Sequence, residues 1–269
     1  MMEPFSVQRI RRGLDTAFLG QNLVYLPEAG STNDEARRLA QDGVPEGTLV
    51  LTDHQTSGRG RLDRRWEAPP GSSLLMSVVF RPSLAPHEVQ RLTMVCGLAV
   101  IDAIESETGL QVGLKWPNDV VVGPAKVAGI LTEIGAQGSK VDFVVVGLGL
   151  NVNLNPAGLP DGLLVPATSL SHELKRPVAR LPLLVALLQA METRYTALKA
   201  GRSPHLEWAG RLVTLGRPVT VSTIGASLEG VAEGVNADGA LLVRLDSGRL
   251  ETVMAGDVTL RTRGRSGHT

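Results

Sequence analysis

The sequence predicts an α+β protein, in which a sheet built largely from hairpins is combined with two long helices and followed by a small five-stranded β-barrel. Three observations support this prediction. β-branched segments between residues 112 and 146 are joined by connections too short for crossover helices, so neighbouring strands should pair as hairpins. Residues 89–104 and 181–198 carry apolar side chains at helical spacing. After Trp208 the chain changes to short alternating segments separated by Gly turns, which is typical of a small barrel.

The sequence predicts little regular structure in the N-terminal region, before the first clear helix. Residues 1–22 have room for one short helix, and a helix-turn-helix module needs about three, so we expect no DNA-binding head in this extension. Ser31, Thr32 and Asn33 precede apolar residues at helical spacing, and Thr32 with Glu35 fits a capping box. A helix N-cap is the simpler interpretation of these polar side chains, and a ligand contact is the alternative.

The remaining elements follow from apolar patterns and turn residues. Strands are predicted at 48–52 and 73–80, on either side of a long loop at 54–71. After the first long helix come short strands at 112–114, 120–122, 127–131 and 141–146, and after the second come barrel strands at 218–222, 228–235, 240–245 and 250–254. We therefore expect a main domain at 1–212 and a barrel at 213–269, whose tail at 262–269 should be flexible.

Composition and charge exclude several classes of protein. Lys and Arg number 27, as do Asp and Glu, so no net charge drives the chain towards nucleic acid or anionic membranes. The longest apolar run, 183–188, is far shorter than the roughly 18 residues of a membrane span, and no signal peptide is visible. Cys96 is the single cysteine, which excludes an intrachain disulfide and a multi-cysteine zinc site. We expect a soluble, cytoplasmic protein.

The loop at 58–66 has the most unusual composition in the chain. It contains four arginines and two glycines: glycine lets the backbone approach a ligand, and arginine donates to phosphate or carboxylate oxygens. The third glycine of a dinucleotide-binding pattern is replaced by Asp63, and the chain has no Walker motif. A solvated basic loop, a phosphate-binding loop and a nucleic-acid contact all remain open at this point.

Two lysines interrupt strand-like segments. The chain has only five lysines, and Lys115 and Lys126 lie in apolar, β-like surroundings, where a buried lysine would need an anionic partner. In a hairpin, Asp119 would come close to Lys126. The alternative is that both lysines lie at exposed strand ends. The glycines of 147–151 are by themselves more typical of a bulge than of a ligand contact.

Taken together, five motifs in one order resemble the bacterial biotin protein ligase family. The similarity extends from about Val24 to the C-terminal barrel. The motifs are Ser31-Thr32-Asn33, Gln55 with Gly58-Arg59-Gly60-Arg61 and Trp66, Lys115-Trp116-Pro117-Asn118-Asp119, Lys126-Val127-Ala128-Gly129, and Gly147-Leu148-Gly149-Leu150-Asn151.

The resemblance implies a fold and an activity. The expected fold is a catalytic domain of the class II aminoacyl-tRNA-synthetase/biotin-ligase type, with a mixed, mainly antiparallel sheet flanked by helices, followed by an SH3-like small barrel. The expected enzyme activates biotin with ATP and Mg²⁺ as biotinyl-5'-AMP and releases pyrophosphate. It then transfers biotin to one lysine of the biotin carboxyl carrier protein of acetyl-CoA carboxylase. Some family members are also repressors with an N-terminal winged helix, which we do not expect here, and a homodimer stays open.

The resemblance also assigns residues to roles. Lys126, Arg59 and Arg61 are the expected catalytic residues, while the metal ligands are undetermined. Biotin contacts are expected from Ser31, Thr32, Asn33, Gln55, Gly58, Arg59, Gly60, Arg61, Lys126 and Gly129. Contacts to ATP and the adenylate are expected from Arg59, Arg61, Trp66, Lys115, Asn118, Asp119, Lys126 and Asn151.

One departure and two alternative functions accompany this assignment. Many relatives carry Gly or Arg where this chain has Leu62 and Asp63, and an acidic residue lowers the positive potential of the loop. A lipoate protein ligase shares the fold and the adenylate chemistry, but the chain lacks an Arg-Arg-x-Ser-Gly-Gly-Gly-type stretch. A non-catalytic biotin-binding module is the other alternative, although it would not need Lys126 and the arginine loop. Residues 218–261 contain no aromatic side chain for stacking bases, so acceptor docking or catalytic support suits the barrel better.

Overall fold

The structure is a computed structural model that describes residues 4–62, 64–137, 140–158, 166–223 and 226–260 of the 269-residue chain. In chain order its elements are α1 (Val7–Gly13), β1 (Leu23–Ala29), α2 (Thr32–Gln41), β2 (Leu49–Gln55), β3 (Ser73–Phe80), α3 (Gln90–Thr108), β4 (Gly113–Lys115), β5 (Asp119–Val122), β6 (Ala125–Gln137), β7 (Lys140–Asn151), α4 (Leu170–Leu174), α5 (Arg180–Lys199), α6 (His205–Gly210), β8 (Pro218–Thr223), β9 (Ala226–Val235), β10 (Leu241–Arg244), β11 (Leu250–Val253) and β12 (Asp257–Leu260). Short 3-10 helices cover Pro86–Glu88 and Pro156–Gly158.

The main sheet has seven strands in the order β1-β2-β3-β7-β6-β5-β4. β1 and β2 are parallel, and every other neighbouring pair is antiparallel. The mixed, mainly antiparallel sheet is therefore confirmed. The long hairpin of β6 and β7 forms its centre and aligns Gly129 with Gly149 and Leu131 with Gly147.

Helices cover the two faces of this sheet unequally. α3 and α5 pack on one face, where their buried side chains join the sheet in the large core. α2 covers part of the other face, where Ala36 and Ala40 pack against Val50, Val79 and Val145. The rest of that second face is left open beside the start of α2.

The C-terminal module is an open antiparallel sheet of five strands in the order β11-β10-β9-β8-β12. The predicted small barrel is confirmed only as this sheet, because in the described part of the chain the edge strands β11 and β12 are not paired with each other. Only three residues connect them, and a connection of that length spans at most about 14 Å. A flat sheet would separate the two edges by about 19 Å, so this sheet must curl strongly.

Trp116 joins the two sheets. Its side chain is buried, its indole N–H donates to Gly239 O at 2.8 Å, and its backbone N–H donates to the Thr214 hydroxyl at 3.1 Å. Leu114 of β4 also forms a β-bridge with Leu212. The C-terminal sheet is thus attached directly beside the β4–β5 turn.

Some predicted elements differ from the structure. The capping box at Thr32 is wrong, because Ser31 is the N-cap and its side chain makes no capping hydrogen bond. β1 was not predicted; it contains Pro27, which an edge strand tolerates. α4, α6 and β12 were not predicted either. The tail at 262–269 and Asp63 lie outside the described residues.

Candidate active site

A cavity of about 390 Å³ opens on the face of the main sheet that α2 leaves uncovered. The start of α2, the arginine loop at 58–66, the β4–β5 turn and the centre of β6 and β7 line it, and β8 and β12 of the C-terminal sheet complete one side. Most of the sequence-predicted site residues meet here: Ser31, Thr32, Asn33, Gln55, Arg59, Gly60, Arg61, Trp66, Lys115, Asn118, Asp119, Lys126 and Gly129.

Gly58 and Asn151 lie outside the lining. The Gly58 carbonyl accepts the Trp66 N–H at 3.0 Å, and a side chain at Gly58 would collide with the Trp66 carbonyl, so this glycine closes the loop. Asn151 is buried and its amide donates to Thr168 O at 3.0 Å, which ties the end of β7 to the segment before α4. Their predicted ligand contacts remain predictions.

One end of the cavity is polar and uncharged. The Thr32 N–H and hydroxyl both donate to Gln55 Oε1, at 2.7 and 3.0 Å. This arrangement orients the Gln55 amide with its NH₂ group as the remaining donor. The Ser31 hydroxyl makes no hydrogen bond to the residues that the structure describes, although Ser31 is only 3% exposed. These groups are available to a small ligand with neutral donors and acceptors.

The side chains of Arg59 and Arg61 extend from the arginine loop in opposite directions. A tight turn, in which the Gly60 N–H donates to Arg64 O at 2.7 Å, holds the loop together. Arg59 pairs with Asp34 of α2 and lies 3.3 Å from Glu133 of β6. Arg61 donates to Asn118 Oδ1 at 3.4 Å and to Gly256 O at 3.1 Å, and Arg64 pairs with Asp257 of β12. The loop therefore bridges α2 and the C-terminal sheet over the cavity.

A lysine–aspartate pair lies at the charged end. Lys126 Nζ is 2.6 Å from Asp119 Oδ1 and 5.4 Å from the centre of the Trp66 ring. The hairpin of β5 and β6 brings these two residues together, as the sequence predicted. Burial lowers the pKa of Lys115, which the Asp119 charge partly opposes. Burial also lowers the pKa of Arg61, so both cations are partly removed from water.

Paired glycines form the floor of the cavity. A side chain at Gly149 would contact the Trp66 ring, with Cζ2 at 2.6 Å, and one at Gly129 would approach Lys126 Nζ to 2.8 Å. Gly147 leaves room for Asn33 in the same way. In the sequence, the glycines of 147–151 are only a weak indication of a ligand contact. Their pairing with β6 depends on strand register, which the local sequence does not contain.

Sequence reasoning also missed several residues at the cavity. Glu133 and Ser77 hold Asn33 in place, and Arg64 and Asp257 join the loop to the C-terminal sheet. Glu133 has a local signal, since it follows Gly129 and Leu131 at the spacing of one strand face. Asp257 has none, because its approach depends on how the C-terminal sheet docks.

The charge of the cavity differs from that of the whole chain. Among the described residues that line it are six Lys and Arg side chains but only two aspartates, whereas the chain has no net charge. Such a cluster attracts phosphate or carboxylate groups. The cavity is therefore suited to a ligand with a neutral polar head and an anionic end, placed beside a second anionic ligand.

Comparisons with known proteins agree with this geometry. Residues 27–151 match the model of the biotin/lipoate A/B protein ligase family, and residues 214–261 match that of the biotin protein ligase C-terminal domain. The bifunctional ligase/repressor BirA of Bacillus subtilis is 35% identical over 257 residues, which cover 95% of this chain and 79% of that protein. This chain belongs to the biotin protein ligase family.

Two other members of the family match this chain over most of their own length. The biotin–[acetyl-CoA-carboxylase] ligase of Paracoccus denitrificans is 35% identical, covering 83% of this chain and 95% of that protein. The biotin protein ligase of Aquifex aeolicus, solved in complex with biotin and ATP, superposes with a TM-score of 0.74 at 30% identity, covering 90% of this chain and 99% of that one.

Two structural features are absent from the described residues. They contain no group of three or more His, Cys, Asp and Glu side chains arranged to hold a metal ion. None of the helices in these residues is long and apolar enough to cross a membrane.

Proposed function

We propose that this chain is an ATP-dependent biotin protein ligase. It activates biotin as biotinyl-5'-AMP, releases pyrophosphate, and transfers biotin to a specific lysine of the biotin carboxyl carrier protein of acetyl-CoA carboxylase. The observation that carries the proposal is the division of one cavity into a neutral polar end and a cationic end, in a chain of this family. Biotin has the same division: a neutral ureido group and a carboxylate.

The polar end recognises the ureido group. Ser31, Thr32 and Gln55 offer donors and acceptors that satisfy it without burying a charge. The Gln55 NH₂ group is oriented before the ligand arrives, because both Thr32 donors hold Gln55 Oε1. Asn33 and Gly58 act on biotin through the shape of the pocket.

The cationic end supports adenylate formation. A biotin carboxylate oxygen attacks the α-phosphorus of ATP, and the bond to pyrophosphate breaks. Two anionic groups must approach each other, so fixed positive charge lowers the barrier. Lys126 and Arg61 supply that charge, with Lys115 beside them. Arg59 holds the loop against α2, and Trp66 covers the floor near the adenylate.

Transfer follows in the same cavity. The acceptor lysine, as a free amine, attacks the acyl carbon of biotinyl-5'-AMP, and AMP leaves as the amide forms. Asp119 lies beside Lys126 and is the nearest candidate to take the proton that the amine releases. The loop excludes water that would hydrolyse the mixed anhydride.

Magnesium is expected to arrive with ATP. Mg²⁺ usually binds one or two carboxylates together with substrate phosphates. Both aspartates of the cavity are paired with cations, Asp119 with Lys126 and Asp257 with Arg64. Because each aspartate is already paired with a side-chain cation, the two carboxylates do not form a metal-binding site by themselves.

Other parts of the proposal rest on the family. We propose that the curled C-terminal sheet is the SH3-like small barrel, and that the domains are 1–212 and 213–269. Ligation without DNA binding, a cytoplasmic location and a homodimer remain predictions. A lipoate-type ligase and a non-catalytic biotin-binding module are the alternatives that the experiment below separates.

The test is biotin transfer to an apo carrier domain, followed by acceptor mass. Wild type with biotin and MgATP should label the acceptor, and Lys126→Ala should reduce the rate on the order of 10²–10³-fold. Lys140→Ala, which removes an exposed lysine at the far end of β7, is the matched control and should label normally. Biotin binding without labelling of any carrier would favour the binding module. Labelling with lipoate instead of biotin would favour the other ligase.

A further inference from the structure

Glu133 occupies a central position between the polar end of the cavity and the arginine loop. It lies on β6, on the same strand face as Gly129 and Leu131, and its side chain is only 16% exposed. One carboxylate oxygen accepts from Arg37 at 2.7 Å. The other accepts from Asn33 Nδ2 at 2.6 Å and from Arg59 at 3.3 Å. Three donors from two separate segments therefore converge on one carboxylate.

The Asn33 amide is already fully engaged by the protein. Its NH₂ group donates to Glu133 and, at 3.3 Å, to the Leu131 carbonyl, and its oxygen accepts from the Ser77 hydroxyl at 2.6 Å. Both amide hydrogens are thus used, and Asn33 is only 3% exposed. Asn33 consequently fixes the first turn of α2, which carries Ser31 and Thr32, and has no hydrogen left to donate to a ligand.

Arg59 is held by two carboxylates. It pairs with Asp34 and Glu133, and the partly buried Glu133 is the less solvent-exposed of the two partners. An exposed pair such as the one with Asp34 contributes little, because water screens it. Glu133 is therefore the better anchor for the loop residue whose neighbour, Arg61, faces the charged end.

We propose that Glu133 is a positioning residue that couples the biotin pocket to the arginine loop. Through Asn33 it sets the place of the ureido-binding groups, and through Arg59 it holds the loop over the adenylate. This inference rests on the proposed ligase function. It assigns to one carboxylate outside the reacting groups an effect on both biotin affinity and adenylate retention.

Glu133→Gln is the informative substitution. It preserves size, but its amide has one oxygen, and its NH₂ group cannot accept from any of the three donors. In either orientation of the amide, the negative charge that holds Arg59 is lost, so Arg59 keeps only its exposed ion pair with Asp34. We expect the Kd for biotin and the dissociation rate of preformed biotinyl-5'-AMP each to rise about tenfold. The Kd for a non-hydrolysable ATP analogue, measured without biotin, should change less than about twofold.

Two control variants separate coupling from general disruption. Arg37→Met removes only the outer partner of the same carboxylate and should change both biotin constants less than about twofold. Glu35→Gln removes an exposed ion pair with Arg38 on the same helix and should match wild type. If Glu133→Gln does not yield folded protein, Glu133→Asp is measured instead; its shorter reach should raise the same two constants.

The outcomes are distinguishable. If wild type binds no biotin, the proposed function fails, whatever Glu133 does. If wild type binds biotin and the Glu133 variant matches it in both biotin constants, the positioning role is refuted while the ligase stands. Equal weakening of biotin and ATP-analogue binding, with a lowered Tm, would show a general structural role and would also refute the coupling. Selective loss of biotin affinity and adenylate retention supports it.

Discussion

Gly147→Ala should damage the biotin pocket through one misplaced methyl group. A Cβ at this position would lie 2.8 Å from Asn33 Cγ and nearer still to Oδ1, well below the 3.4 Å of ordinary contact. The amide must therefore move by more than half an ångström, and its hydrogen bonds to Ser77, Glu133 and Leu131 resist that movement. Overpacking costs about 1–3 kcal/mol, and each lost hydrogen bond costs about 1 kcal/mol. We expect unfolding to become easier by about 2–4 kcal/mol.

Gly149→Ala, two residues along the same strand face, should act differently. Its Cβ would contact the Trp66 ring, which belongs to a half-exposed loop and can lift away. The free energy of unfolding should change by less than about 1 kcal/mol, since alanine also relieves the entropic cost of glycine in a strand. Adenylate retention should nevertheless fall, because Trp66 no longer rests on the floor.

Urea unfolding and iodide quenching of tryptophan fluorescence test this pair. Trp116 and Trp208 are buried, so added iodide reports mainly on Trp66 and should quench the Gly149 variant more than wild type. Gly234→Ala in β9, where the nearest side-chain atom would be 3.9 Å away, is the control and should change neither measurement. Equal destabilisation by the Gly147 and Gly149 substitutions would refute the reasoning, because it would mean that the mobility of the neighbour does not set the cost.

Two further predictions concern charge. Because burial lowers the pKa of Lys115, its positive charge should be lost at lower pH than that of an ordinary lysine, and pyrophosphate release should decline as pH rises through that lowered value. Lys115→Arg stays protonated and should shift this decline to higher pH; an unmoved alkaline limb would contradict the role of the charge. Asp53→Asn breaks a buried pair with Arg180, 2.6 Å long, and should cost about 3–5 kcal/mol in urea unfolding. Its Kd for biotin should remain that of wild type, and a stability close to wild type would show that the pair contributes little.

The sequence predicts those parts of the fold that depend on local patterns. α3, α5 and the strands of the β6–β7 hairpin follow from apolar periodicity, which is a property of adjacent residues. Strand β1 escaped prediction because Pro27 interrupts its pattern, and only its place at the sheet edge makes that proline acceptable. The small barrel is confirmed only as a five-stranded antiparallel sheet, because alternation indicates strands but does not state whether two edges pair.

The site shows the same division between local and long-range information. The motifs identified most of the lining, because each motif is a short run whose residue types suit anionic or polar ligands. They did not reveal that Asn33 is saturated by Glu133, a residue 100 positions away. Because both amide hydrogens of Asn33 are already used, we expect Asn33 to support the start of α2 instead of donating to the ligand. Contacts across such separations are set by strand register and helix docking, which no local pattern contains.

Arg59 and Arg61, which lie on either side of Gly60, have different roles because their contacts differ. Arg59 and Arg61 look equivalent in sequence, yet Arg59 is paired with two carboxylates, while the hydrogen bonds of Arg61 go to the neutral oxygens of Asn118 and Gly256. Because no carboxylate of the described residues accepts directly from Arg61, more of its charge remains available to an anion in the cavity. Burial also lowers its pKa, and a charge removed from water interacts more strongly with a phosphate than a hydrated one does. Arg61 is therefore the arginine that should stabilise the adenylate, and Arg59 the one that keeps it in reach.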